Sequence, residues 1–163
     1  MRAAKVIPLL LAAALISTSA ITASAKYDAD IDAPDDVKEI CEKYGAEYDI
    51  CPELLEAICW NESRYLANVS AGTCKGIMQI NEPVHKDRLK NLGVTDIYDM
   101  DGNIHAGADY LFELFETYND PAVVLAYYHG EQNVLTRTKK GQLSGYVKRV
   151  LEKSEMLEKL HGK

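Results

Sequence analysis

The segment PELLEAICWNES, residues 52–63, decides the fold. Pro52 suits the first turn of a helix, where a missing N–H costs nothing. Leu55, Ile58, Cys59 and Glu62 then recur at three- and four-residue steps on one face. Three of these positions are apolar and the fourth is a carboxylate, aimed into the interior or into a cleft in it. A carboxylate placed there is either paired, or desolvation raises its pKa and keeps it protonated near neutrality. The last turn of a helix, the negative end of its dipole, disfavours the anion further. Competing readings are a buried ion pair, or a small error of helix phase that turns Glu62 to solvent. Arg64 is a poor partner, because a residue two steps along a helix lies on another face. A protonated carboxyl in an apolar wall is what general-acid cleavage of a glycosidic bond requires.

Working outward, Pro34 opens a helix on which Val37, Ile40, Cys41 and Tyr44 share a stripe, with Gly45 as the expected left-handed stop. The link to residue 52 is short, so the two helices are expected to form an antiparallel hairpin. From residue 66 to 80 the period vanishes and small residues take over, which predicts a loop with a short strand at 76–80. A helix over 84–92 ends at Gly93. Ile104, Ala108, Leu111, Phe115 and Tyr118 give the strongest helical period, with Asn103 available as its cap. Asp120-Pro121 supplies a cap and first-turn proline for a buried helix that Gly130 ends. Residues 131–143 read as loop, and Ser144 precedes a last helix with Val147, Val150 and Leu151 on one face. The pattern predicts a mainly α single domain with at most a short β segment.

With 163 residues, 47% of them apolar, the chain has material for one packed domain and too little for two ordinary ones. Eighteen basic against 25 acidic residues give a net charge of −7. That balance argues against affinity built on neutralising phosphates, so nucleic acid is not an expected partner. Arg2 and Lys5, an apolar run over 6–16 and the small residues Ala23-Ser24-Ala25 make the pattern of a cleaved secretory signal over residues 1–25. An uncleaved anchor is the competing reading, but the run is well short of the roughly 20 residues that span a bilayer. The mature chain is expected to start at Lys26, at a formal charge of about −9 once Arg2 and Lys5 are gone. A loose lead-in over 26–33 and one globular domain over 34–163 would follow, exported and with no stable membrane insertion.

Cys41, Cys51, Cys59 and Cys74 are an even set, which in an exported chain reads first as disulfides in one of three pairings. Four unpaired core thiols are the alternative. No C-x-x-C pair favours zinc. His85, His105, His129 and His161 show no H-x-x-x-H spacing and read as isolated surface side chains, so no metal or other cofactor is expected.

Four short segments say more together than apart. Glu62-Ser63, then Gly76-Ile77-Met78-Gln79, then Asn103-Ile104 with Gly107, Tyr110 and Leu111, then Ala126-Tyr127 with Gly130 follow one another along the chain. In that order and approximate spacing they resemble the soluble lytic transglycosylase family, from about residue 48 to residue 151. The resemblance implies a lysozyme-like domain, related to goose-type lysozyme, whose groove holds the glycan strands of peptidoglycan outside the bacterial cytoplasm, acting as a monomer. It implies that Glu62 is the single catalytic acid and base. Glu62 would protonate the oxygen between N-acetylmuramic acid and N-acetylglucosamine, then take the proton of the C6 hydroxyl that closes a 1,6-anhydro ring. By the same resemblance Ser63 orients the catalytic segment, Met78 and Gln79 line the groove, and Ser70 matches a serine ahead of the glycine-rich segment. Tyr127 matches the tyrosine of a Tyr-Asn-Ala-Gly segment, and Tyr146 a late tyrosine that reaches back to the acid.

Two departures stand out. Tyr-Asn-Ala-Gly reads Tyr127-Tyr128-His129-Gly130 here, which alters one wall, and the gap from Glu62 to Ser70 is one residue short. A Cys59–Cys74 disulfide would tie the loop to the catalytic helix, leaving Cys41 with Cys51. Asp96, Asp99 and Asp101 are the candidates for a second carboxylate, which a retaining hydrolase needs about 5–5.5 Å from the first; capping and loop solvation are the expected roles of this cluster. The alternatives to a transglycosylase are a hydrolytic muramidase on the same fold and a glycan-binding module without turnover.

Overall fold

A computed structural model describes residues 31–163. The expected signal over 1–25, and the lead-in up to residue 30, lie outside them. The described chain runs α1 (Asp35–Tyr48), α2 (Pro52–Ser63), β1 (Ser70–Ala71), β2 (Cys74–Lys75), β3 (Ile80–Asn81), α3 (Lys86–Asn91), α4 (Met100–Thr117), α5 (Pro121–Tyr128), α6 (Val134–Lys139) and α7 (Gly145–Leu160). This is the mainly α, lysozyme-like architecture expected, with a minor antiparallel sheet ordered β1-β2-β3.

α2 is the centre of the molecule. Every residue from Glu53 to Trp60 is buried, because α1 packs on one side of it and α7 covers it most extensively. A helix this enclosed carries two glutamates in its interior stretch, and each is accommodated differently. Burial alone would raise the Glu53 carboxyl, but hydrogen bonds from Lys163, Cys51 and His161 bring it down to about 2; Lys163 Nζ approaches to 2.6 Å and His161 Nδ1 to 3.0 Å. Glu56 has no such cluster: its Oε2 lacks a hydrogen-bond partner among the described residues, and burial pushes its pKa up to about 7.

Local signals placed most helix ends. Asp120 accepts the Ala122 N–H and precedes a first-turn proline, and Ser144 accepts the Val147 N–H. Tertiary contacts overrode the others. Gly45 does not stop α1, which continues to Tyr48 and ends on a left-handed Asp49. Gly45 instead admits the 50–52 turn, since a Cβ there would lie 2.7 Å from the Ile50 carbonyl oxygen. Asp99, not Asn103, caps α4. The strand expected at 76–80 is a four-residue turn between β2 and β3, whose register pairs Cys74 with Asn81 and Lys75 with Ile80. The loop over 131–143 contains α6. Residues 31–33 of the supposed loose lead-in are partly core: Ile31 and Ala33 are buried and Tyr65 donates a hydrogen bond to the Ile31 carbonyl at 2.7 Å.

Neither expected disulfide is present, and all four cysteines are free. The thiol of Cys41, on α1, faces that of Cys59 on α2, both fully buried, while Cys51 Sγ donates to Glu53 at 3.1 Å. Helix packing rather than spacing set these neighbours.

Because the folded pKa of Glu56 lies above its ordinary 4.5, the native state binds its proton more tightly than the unfolded chain does. That contribution is complete below about pH 4.5 and is lost as pH rises through about 7. Glu56→Gln should therefore gain stability over the parent by up to about 3 kcal/mol in mildly alkaline buffer, and much less at acid pH. Urea melts at the two pH values check it; an equal difference at both would refute the assignment.

Candidate functional site

Glu62 lies in the last turn of α2, which a left-handed Arg64 closes. It is half-buried. Burial raises its pKa, while a hydrogen-bonding approach from Tyr146 and the charge of His129 pull the other way. Tyr146 comes from the first turn of α7 and is itself buried. Its hydroxyl has no partner of full hydrogen-bond geometry among the described residues, so the looser approach to Glu62 accounts for its polar environment. Burial, then the nearby Glu62 charge, keep this phenol protonated well past neutrality.

The turn beside Glu62 is fastened from three helices, α2, α4 and α5. Ser63 Oγ, one residue beyond the acid, donates to the Ile77 carbonyl at 2.7 Å and to Cys59 at 3.1 Å. From α4, fully buried Asn103 accepts the Met78 N–H at 2.8 Å and donates to the carbonyls of Ile97 and Lys75 at 2.8 and 3.0 Å. The expected helix cap is thus a clamp on the 75–78 backbone. Met78 does not line an open groove: it is fully buried, its thioether seated on Gly107, where a Cβ would collide with it. Gln79, with φ of 50°, spends its amide donors on the carbonyls of Gly76 at 2.8 Å and Val69 at 3.2 Å, so its first task is to close the turn.

The remaining expected residues divide. Ser70 is exposed on β1, opposite Lys75. Tyr127 turns away to stack on Tyr118, 4.6 Å between ring centroids. Its neighbour Tyr128, which reads from the sequence as an altered wall, takes the inner place: the hydroxyl donates to the Met78 carbonyl at 2.9 Å, and burial followed by Glu62 raises its pKa. Tyr128 also begins an aromatic row, with Tyr110 at 5.5 Å and His85 a further 4.5 Å on. The row leads to an open depression of about 380 Å³ edged by Arg88, Asp109 and Glu113.

The other acidic candidates are occupied elsewhere. Asp96 accepts the Tyr98 N–H, Asp99 caps α4, and Asp101 accepts from Tyr44 at 2.6 Å and Lys43 at 2.8 Å. Nor are the histidines isolated: His85 meets Arg88, His105 stacks on Tyr44, His129 packs at a tilt on Tyr146 and His161 pairs with Glu53. Sequence spacing could not reveal these contacts, since each of the last three joins different helices or the chain's last residues. Among the described residues no three His, Cys, Asp or Glu side chains are grouped as metal ligands would be, and no helix is long and apolar enough to cross a membrane.

The "Transglycosylase" of Enterobacteria phage PRD1 is 34% identical over 89 residues, which cover 54% of this chain and 32% of the phage protein. The chain thus spans about a third of the length of that relative. A model of the transglycosylase SLT domain matches residues 39–147, a span that starts in α1 and ends just beyond Tyr146. The chain belongs to the transglycosylase SLT domain family.

Proposed function

We propose that the protein is an extracytoplasmic peptidoglycan lytic transglycosylase in which Glu62 serves as both acid and base. The observation that carries this is the environment of Glu62: a carboxyl whose pKa is raised by desolvation, within reach of a buried phenol, at the end of the most enclosed helix. In the first half of the reaction the proton of Glu62 passes to the glycosidic oxygen and the bond to C1 of N-acetylmuramic acid breaks. In the second half the C6 hydroxyl of the same sugar bonds to C1, and its proton returns to Glu62. No water is consumed, and the carboxyl ends as it began.

Two further features support ring closure over hydrolysis. Among the described residues no carboxylate figures among the charges that act on Glu62, and Asp96, Asp99 and Asp101 are engaged in capping and ion pairing, so none of these three is placed as the second carboxylate that a retaining hydrolase needs. An intramolecular hydroxyl has an effective molarity that water cannot match once it is excluded from the site. The recognised substrate is a neutral sugar backbone, which suits a protein of net charge −7 with an aromatic row beside the acid.

Digestion of purified sacculi followed by mass spectrometry of the released muropeptides tests the chemistry. Products lighter by one water than the hydrolytic ones are expected; dominance of the hydrated species would establish a muramidase instead. Glu62→Gln should reduce product formation by roughly 10³-fold or more while leaving glycan binding nearly unchanged. Equal and negligible turnover in parent and variant would leave only a glycan-binding module.

The pH dependence follows from the direction of the Glu62 shift. The free enzyme needs the carboxyl protonated, so kcat/KM should fall on the alkaline side, with a midpoint above the ordinary carboxylate value of 4.5. A decline centred at or below that value would contradict the role given to desolvation.

A further inference from the structure

His129 has no counterpart in the Tyr-Asn-Ala-Gly pattern that the 127–130 segment resembles. Its main chain is fixed as the C-cap of α5, the N–H donating to the Leu125 carbonyl at 3.0 Å. The ring is exposed on one side and lies on Tyr146 on the other, with centroids 3.9 Å apart and planes inclined by 32°. α5 and α7 pack together and so bring an imidazole, a buried phenol and a half-buried carboxyl into one cluster at the end of α2. Neither Tyr127, which faces Tyr118, nor any other histidine takes part in it.

We propose that His129 is a positioning residue of this site, acting through its contacts: its ring pins Tyr146 against Glu62, and its positive charge favours the Glu62 anion formed midway through the reaction. The proposal rests on the reading of Glu62 as acid and base given above. The physical case is differential. A desolvated carboxyl that has just given up its proton is the costliest species in the cycle, and a fixed cation nearby stabilises that state more than the protonated one.

The other groups that face the cluster bring no cation to Glu62. Tyr146 from α7 and Tyr128 from α5 are held protonated by burial. Cys59 on α2 and Cys74 on β2 act on these phenols and supply no cation. Arg149 of α7 keeps its charge and is turned to Asn61 Oδ1 at 3.3 Å. His129 is therefore the member of this set that brings a positive charge to bear on Glu62 while its ring lies on Tyr146.

The test is a carbon-13 NMR titration of the full chain carrying carboxyl-labelled glutamate, with the Glu62 resonance identified by its loss in Glu62→Gln. The parent is compared with His129→Phe, which keeps a ring on Tyr146 without charge, with His129→Ala, which keeps neither, and with His129→Lys, which keeps charge alone. The Glu62 midpoint should rise by roughly half a pH unit or more in the Phe and Ala variants and stay near the parent's in Lys. Turnover on sacculi in mildly acid buffer should fall roughly three- to tenfold in Phe and further in Ala. An unchanged Glu62 midpoint in both Phe and Ala would overturn the proposal. The titration does not depend on the reaction catalysed: a shifted midpoint with hydrated products would sink the transglycosylase reading and leave His129 in place, whereas anhydro products with an unshifted midpoint would do the reverse.

Discussion

The constraint on which the rest of the structure depends is the enclosure of α2. A helix buried from Glu53 to Trp60 has no solvated face on which to place a charge, yet it carries Glu53, Glu56 and Glu62. Each carboxyl meets the desolvation cost in a different way. Glu53 gathers Lys163 and His161 from the end of the chain and remains an anion. Glu56 keeps its proton up to near neutrality. Glu62 lies at the helix terminus, half-exposed, where a phenol and an imidazole moderate what burial does. The first ties the end of the chain to the helix, the second leaves a neutral acid in the core, and the third leaves a carboxyl able to exchange its proton.

The backbone turn beside Glu62 would have little reason to hold its shape without the polar contacts that cross it. Its strands are two residues each, far too short to be stable alone. Ser63, Asn103, Gln79 and Tyr128 all bond its carbonyls or N–H groups, and Met78 is driven into the core over Gly107. Side chains from α2, α4 and α5 thus converge on four consecutive residues. The turn is a wall fixed from three helices, which gives a substrate site the rigidity that a free loop of small residues lacks.

Most of the helical frame was legible because its signals are local: a cap and a proline at 120–121, a serine cap at 144, and a period of apolar residues in α4. The signals that misled are those with two physical causes. Gly45 resembles a left-handed stop but is small because another backbone segment passes close to it. Asn103 resembles a cap but is buried to hold a turn nearly thirty residues earlier in the chain. In the site, Glu62 could be singled out because a carboxylate broke an apolar stripe, and Tyr146 because the segments resembled a family. Tyr128 and His129 could not be placed: adjacent residues at a helix end point to different neighbours, and only the packing of α5 on α7 and on the 75–78 turn decides which neighbour each meets.

That placement bears on why one carboxyl can suffice. A group that must give up a proton and take it back within one turnover works best when its two protonation states are close in free energy, since an excess in either direction slows one half of the cycle. Burial by itself would make Glu62 too reluctant to ionise. Opposing influences from Tyr146 and His129 bring the anion back within reach, and Asp96, Asp99 and Asp101, engaged elsewhere, do not compete for the proton. In the proposed reaction a phenol and an imidazole around a single carboxyl would let it serve in turn as acid and as base, roles that two-carboxylate glycosidases assign to two carboxyls in unlike environments.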